Sequence, residues 1–401
     1  MKILIADKFP ETGLARLRDL GLEVASDPDL KEEALADELR RGRPEILVVR
    51  STRVEARHLD ASPDLALVIR AGAGFNTIDV EGASRRAIHV ANCPGKNSIA
   101  VAELAFAHLL AMDRRLVDGA VDLRAGIWNK KEYAKARGVY GTTLGLLGMG
   151  RIGQEMVRRA RAFGIDVVAW SRSLTPRRAE ELGVGHAASP VEVAGRCDVL
   201  SVHLALNDDT RHLVGAEVLA ALPEGALVIN TSRDGVVDQE ALAREIETRG
   251  IRAALDVFAG EPAGGEGRLE PGIFSLPGVQ GSHHIGASTA QAQEAVAEEV
   301  IRIVREFQEA GHVPNCVNLA QKTPATHLLV VRHRDRVGAL AGVLDVLRAA
   351  EINVQEVENI VFDGAEAASA RLRLDREPDD AVLAEVRVSS DHVLAVTSRS
   401  L

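Results

Sequence analysis

The chain has 401 residues, 46% apolar and 26% charged, an ordinary globular composition with room for two or three domains of roughly 100–200 residues each. Disordered chains, collagen-like fibres and small disulfide scaffolds are excluded. A net charge of −10 repels phosphate backbones, so the expected partner is a small molecule and not nucleic acid. No apolar run approaches the ~18 residues of a membrane span, and the opening Met1–Asp7 stretch is too short for a secretory core, so no membrane association is expected. Cys93, Cys197 and Cys316 stand in no metal or disulfide spacing, which predicts free thiols, no metal site and a reducing cytoplasm.

Short apolar runs alternate with amphipathic stretches, the pattern of parallel sheets covered by helices on both faces, so the fold class is α/β. Strands are predicted at Lys2–Asp7, Glu45–Arg50 and Leu65–Arg70, with helices at Thr12–Leu20 and Lys31–Arg40. A long helix, Asn97–Arg115, leads to a second strand series at Thr143–Leu147, Asp166–Trp170, Asp198–His203, Ala226–Asn230 and Ala253–Phe258. Another long helix, Ala290–Ala310, can return the chain to the first lobe. The expected organisation is a discontinuous first lobe (1–97 and 287–320), an inserted second lobe (98–286), a polar linker (321–325) and a tail (326–401). In the tail, strand and helix patterns follow a β-α-β-β-α-β order, a ferredoxin-like sandwich.

Gly148-x-Gly150-x-x-Gly153 follows a predicted strand and opens a helix. The first glycine permits the turn, the second lets backbone approach a pyrophosphate, and the third lets helix and strand pack, so this is a dinucleotide turn. Arg151 and Ile152 lie within it. The next strand ends in Ser171-Arg172, where NAD sites usually present an acid to the ribose. That pair leaves both NAD and NADP open.

Arg233, after Asn230-Thr231-Ser232, arrives at a strand end, where its planar fork can hold a carboxylate. Asp256 and Glu261 follow the next strand, and His284 precedes the second long helix. Imidazole suits the proton transfer that accompanies hydride transfer at a 2-hydroxy acid, and a neighbouring carboxylate stabilises the imidazolium and fixes its ring. The catalytic candidates are therefore His284 as acid/base, Glu261 as its partner and Arg233 as carboxylate clamp, with Asp256 as a candidate for the nicotinamide amide.

The ordered set Gly148-x-Gly150-x-x-Gly153, Asn230-Thr231-Ser232-Arg233, Phe258-x-x-Glu261-Pro262 and His284-Ile285-Gly286 resembles the D-isomer-specific 2-hydroxyacid dehydrogenases over about residues 1–320. The resemblance implies two Rossmann-like lobes, the substrate lobe flavodoxin-like, in a homo-oligomer, dimer or tetramer. It also implies NAD as cofactor, with NADP as the alternative raised by Ser171-Arg172, and adds Thr231 and His203 to the cofactor residues. Arg50, Ser51 and the Ala71–Gly74 turn, including Ala73 and Gly74, would line the substrate cleft with backbone amides available for the carboxylate. Asn97 would open the interlobe helix, and Arg50, Arg53, Lys130 and Lys131 would be candidates for a phosphate pocket, which implies a phosphorylated 2-hydroxy acid. Two alternatives remain: an NADPH-dependent reductase of an unphosphorylated 2-oxo acid, and a non-catalytic dinucleotide sensor. The tail resembles an ACT domain through His333-Arg334-Asp335-Arg336-Val337-Gly338 and Asn353, implying an amino-acid effector at His333, Asp335 and Asn353. It departs from that pattern with Asp335 in place of Asn and Val337 in place of Pro.

Overall fold

Apolar runs flanked by helices on both sides build the first sheet. In the computed structural model, which describes residues 1–262, 266–320 and 322–401, its strands are β1 (Lys2–Ile5), β2 (Glu23–Ser26), β3 (Ile46–Val49), β4 (Leu67–Arg70) and β5 (His89–Asn92). All neighbours are parallel, in the order β2-β1-β3-β4-β5, the flavodoxin-like arrangement. The central runs IleLeuValVal of β3 and LeuValIle of β4 are buried on both faces, as helix-covered parallel strands require. One face packs on Leu14, Leu17, Val300, Ile303 and Val304, so the helix Ala290–Ala310 belongs to this sheet's core. The other packs on Leu35, Leu39, Leu59 and Ile88.

The second sheet contains β6 (Thr143–Leu147), β7 (Asp166–Trp170), β8 (Gly185–His186), β9 (Val199–Val202), β10 (Leu227–Asn230), β11 (Arg252–Leu255) and β12 (Val279–Gly281). It is parallel throughout, in the order β12-β11-β10-β9-β6-β7-β8, which contains the Rossmann reversal beside β6. The helix Ser98–Arg114 packs through Ala102, Ala105, Phe106 and Leu109 against β6 and β10. The strand-to-helix turn of β6 thus lies at the switch point, where ligands bind in open α/β sheets.

Compactness divides the chain into Met1–Asn318 and Leu319–Leu401. Gln321, the first residue of the expected linker, lies outside the described residues. The second unit is an antiparallel sheet of β13 (His327–Arg334), β14 (Val354–Val361), β15 (Ala367–Leu374) and β16 (Val393–Ser400), in the order β14-β15-β13-β16. Helices Ala339–Ala349 and Asp380–Val388 cover one face through Val343, Leu347 and Val386. This is the ferredoxin-like order read from the sequence. No helix among the described residues is long and apolar enough to cross a membrane.

Candidate active site

The glycine turn after β6 combines tight packing with one open position. Gly148 has φ +106°, and a Cβ there would lie 2.3 Å from the carbonyl oxygen of His203; a Cβ on Gly153 would lie 2.2 Å from the carbonyl oxygen of Gly148. A Cβ on Gly150 would meet nothing within 4 Å, so the middle glycine faces open space at the start of the helix Arg151–Ala162. Arg151 reaches the other lobe, donating from Nη1 to the Pro94 carbonyl at 2.7 Å. Beyond β7, Arg172 is exposed and pairs with Asp209 at 3.3 Å. His203 is half-buried; desolvation of its ring pushes the imidazole down to about 4, so the ring is neutral. Its Nε2 lies 2.9 Å from Ser201 Oγ.

Three loops at the carboxyl ends of β10, β11 and β12 carry the expected catalytic groups. Asn230, 1% exposed, braces the first: its Oδ1 accepts from Ser232 N (3.0 Å) and Oγ (2.7 Å), and its Nδ2 donates to the Arg233 carbonyl at 2.9 Å. The Arg233 guanidinium crosses to the other lobe, where a Cβ on Gly74 would come within 2.9 Å of Nη2. Asp256 governs the His284 loop. Its carbonyl accepts from His284 N (3.0 Å), Oδ1 accepts from Ser282 Oγ (2.6 Å) and Ile285 N (2.9 Å), and Oδ2 accepts from Gly286 N (2.9 Å). These bonds hold His284 at φ +53°, a left-handed conformation that costs a non-glycine residue about 1–2 kcal/mol. Nδ1 of His284 lies 2.7 Å from Glu261 Oε2, while Glu261 Oε1 accepts from Phe258 N at 2.9 Å.

His284 borders a cleft of about 470 Å³, together with Lys8, Arg50, Ser51, Arg70, Ala71, Asn97 and Ser288. Sequence reasoning proposed Arg50, Ser51 and Asn97 but missed Lys8 and Arg70. Arg70 was legible as the charged end of an apolar strand run. Its Nε is buried without a hydrogen-bond partner, and burial, Arg233 and Arg50 all push its guanidinium below its usual value.

One expectation is corrected here. The backbone amides of Arg50 and Ser51 are not available to a substrate carboxylate, because they and Thr52 N donate to Asp7 Oδ2 at 2.6, 3.1 and 3.0 Å. Burial opposes ionisation of Asp7, but these amides and the Ser51 hydroxyl outweigh it and hold its carboxyl below the usual range. The loop therefore offers side chains, Arg50 foremost. In the Ala71–Gly74 turn the Ala71 and Gly72 amides are likewise taken, by the Val49 and Arg70 carbonyls at 2.7 and 2.8 Å, whereas the Ala73 and Gly74 amides have no partner among the described residues. Asn92 Nδ2 braces the turn by donating to the Ala73 carbonyl at 2.6 Å.

Residues 106–308 match the NAD binding domain of D-isomer specific 2-hydroxyacid dehydrogenase. The chain is 35% identical over 328 residues to D-3-phosphoglycerate dehydrogenase of Methanocaldococcus jannaschii, covering 80% of this chain and 61% of that protein. It is 39% identical over 300 residues to hydroxypyruvate reductase of Thermotoga maritima, covering 72% of this chain and 92% of the relative. The chain belongs to the D-isomer specific 2-hydroxyacid dehydrogenase family. The crystal structure of the TT0316 protein of Thermus thermophilus superposes with a TM-score of 0.70 at 33% identity, covering 79% of this chain and all of that one. The chain thus spans about three-fifths of the phosphoglycerate dehydrogenase it matches.

The site's own residues fit the dinucleotide of this family. The open flank of Gly150 and two buried, unpartnered polar atoms, Thr231 Oγ1 and His203 Nδ1, lie on loops at the carboxyl ends of β6, β9 and β10, the edge at which such folds bind ligands. Other expected residues are not brought to the cleft. Lys130 lines a separate cavity of about 650 Å³ with Leu116, Trp128 and Tyr133, and neither Arg53 nor Lys131 borders the cleft of this chain. The cause is local: Asn129 caps a short helix, Lys130–Tyr133, that packs with the Leu116–Arg124 helix.

The effector trio is likewise divided. His333 is buried at one end of β13, with Nε2 3.1 Å from Asn359 Oδ1, and Asp335 follows it. Val354 and His327 both pair opposite Leu374, so Asn353 stands at the other end of the sheet. Cys93 and Cys197 are buried free thiols, pushed up to about 12 by burial. Among the described residues no cluster of side chains could hold a metal.

Proposed function

We propose that the chain is a D-3-phosphoglycerate dehydrogenase, moving a hydride reversibly between 3-phosphoglycerate and NAD to give 3-phosphohydroxypyruvate for serine biosynthesis. The observation that carries this reading is the cleft in which His284, backed by Glu261, meets the cations Arg50, Arg70 and Lys8, with Arg233 close enough to depress Arg70. A substrate with a carboxylate at one end and a phosphate at the other answers that much positive charge; glyoxylate has only the carboxylate.

Gly148, Gly150, Arg151, Ile152 and Gly153 would hold the dinucleotide pyrophosphate, Ser171 and Arg172 the adenosine ribose, and His203 and Thr231 the groups beyond. The bound nicotinamide supplies the hydride acceptor. In the oxidative direction His284 Nε2 takes the hydroxyl proton as the C–H bond breaks, and Glu261 offsets the resulting charge. Arg233 and the Ala73 and Gly74 amides orient the carboxylate, and Arg50 and Arg70 hold the phosphate. Closure of the lobes excludes water. We read the tail as an ACT module. With His333 and Asn353 at opposite ends of one sheet, an effector touching both would require two tails side by side, hence a homo-oligomer. A cytoplasmic location accords with the free thiols.

One observation favours a second reading. Ser171-Arg172 presents no acid to the ribose, which suits an NADPH-dependent glyoxylate or hydroxypyruvate reductase. Initial rates with 3-phosphoglycerate and NAD, against glyoxylate and hydroxypyruvate with NADPH, separate the two. Turnover of 3-phosphoglycerate with NAD at least tenfold more efficient supports the first; the reverse ranking overturns it.

A further inference from the structure

Beneath the His284 loop lies a run of buried (His108, Asp256) and half-buried (Gln280, Ser282) polar side chains that starts from a residue with no role in the reading above. His108 sits within the helix Ser98–Arg114, 7% exposed, among alanines and leucines. Its Nε2 is 3.0 Å from Ser282 Oγ and its Nδ1 is 3.1 Å from Gln280 Nε2. The same Gln280 nitrogen lies 3.4 Å from the backbone carbonyl of His108. A carbonyl only accepts, so the amide nitrogen must be the atom facing His108, and Nδ1 must accept from it. The ring proton is then on Nε2 and is donated to Ser282 Oγ, whose own proton goes to Asp256 Oδ1 at 2.6 Å. The donors Gln280 Nε2, His108 Nε2 and Ser282 Oγ all point the same way, toward the Asp256 carboxylate, which accepts.

We infer that His108 is a positioning residue for the acid/base loop, acting through Ser282 and Asp256 to hold the backbone of residues 284–286. By occupying a lone pair of Ser282, its Nε2–H turns the hydroxyl proton onto Asp256. Asp256 in turn binds three consecutive N–H groups, those of His284, Ile285 and Gly286, across a residue held at φ +53°. Without the His108 donor, the Ser282 hydroxyl can rotate away, Oδ1 loses one of two bonds, and the left-handed turn loses a constraint. The catalytic consequence rests on the proposed dehydrogenase reading; the loop restraint does not.

The test compares His108→Leu, His108→Gln and the doubly apolar His108→Leu/Gln280→Leu. Glutamine can place an amide N–H where Nε2 stands; leucine cannot. The double variant removes both inner polar groups, so a stability loss from an unpaired Gln280 is separated from the loss of the donor. Hydrogen–deuterium exchange, which needs no turnover, should accelerate at residues 284–286 about tenfold or more in both leucine variants and stay near wild type in His108→Gln. With 3-phosphoglycerate and NAD, and with glyoxylate and NADPH, kcat should fall about tenfold in the leucine variants, with KM for the dinucleotide within twofold and recovery in His108→Gln. Unchanged exchange, changed exchange with unchanged kcat, or a glutamine variant no better than leucine at equal thermal stability would each overturn the proposal. A wild-type chain inactive on all of these substrates would overturn the dehydrogenase reading instead, and exchange would still decide the restraint.

Discussion

Nδ1 of His284 lies 2.7 Å from Oε2 of Glu261, so the imidazole turns its other nitrogen, Nε2, to the cleft. The acid is 28% exposed and the histidine 52%: the pair is anchored on one side and accessible on the other, as a proton carrier requires. His284→Asn should lower kcat at least ~10²-fold, the low end for losing a general acid/base. Glu261→Gln should cost less, about tenfold, because an amide can still accept a hydrogen bond but offers no charge to an imidazolium. Cofactor affinity, measured by NADH fluorescence titration, should be retained in both. An asparagine variant with wild-type turnover would remove His284 from the chemistry.

Arg70 separates the two substrate readings. It is half-buried, its Nε is buried and unpartnered, and it lies beside Arg50 in the cleft wall. A guanidinium in that position gains a charge-assisted hydrogen bond from a phosphate, worth about 1.5–3 kcal/mol. Arg70→Leu should therefore reduce kcat/KM for 3-phosphoglycerate roughly 10- to 100-fold while changing that for glyoxylate little. Equal losses on both substrates would assign Arg70 to the shared carboxylate and not to a phosphate.

The glycine turn gives a contrast between neighbouring positions. A methyl group on Gly148 meets a backbone carbonyl, whereas one on Gly150 meets only open space. Gly148→Ala should therefore lower the melting temperature, and Gly150→Ala should leave it unchanged while weakening NADH binding about tenfold. Titration and melting of both variants check this. If Gly150→Ala binds as tightly as wild type, the dinucleotide does not approach that flank.

What was legible in the sequence follows from how much each strand buries. The central strands were found because they are continuous apolar runs with neighbours on both sides. The four that were not, β2, β5, β8 and β12, are the edges of the two parallel sheets. Glu23–Ser26 is almost wholly exposed and Gly185–His186 is two residues long, so neither has the pattern by which a buried strand is recognised. The residues carrying the candidate chemistry were readable because strand-end loops of a parallel sheet converge on one edge. Asp7 was not, since nothing in its local sequence says that it will bind the amides of a loop more than forty residues away. His108 was hidden for the opposite reason: a histidine inside an apolar helix reads as packing until the β12 side chains that meet it are in place.

Glu299 ties the segments that join the two lobes. Its side chain is 6% exposed and accepts from Arg302 Nη2 at 2.5 Å, Asn315 Nδ2 at 2.7 Å and Lys96 Nζ at 2.9 Å. Lys96 precedes the helix Ser98–Arg114, whereas Glu299 belongs to the helix Ala290–Ala310. Arg302 first, then Lys96 and Asn315, hold the carboxyl at about 2 against the opposing effect of burial, below its ordinary 4.5. The folded chain therefore binds this proton less readily than the unfolded one, so the carboxylate stabilises the fold above about pH 4.5, and that contribution fades as pH falls toward 2. At pH 7, Glu299→Gln should be less stable than wild type by about 1–3 kcal/mol in denaturant unfolding, the cost of weakening buried charge-assisted bonds. The difference should shrink between pH 4.5 and 2 as the wild-type group becomes protonated. A gap that stays constant across that interval would trace the loss to packing at the glutamine and leave the ion cluster without a part in stability.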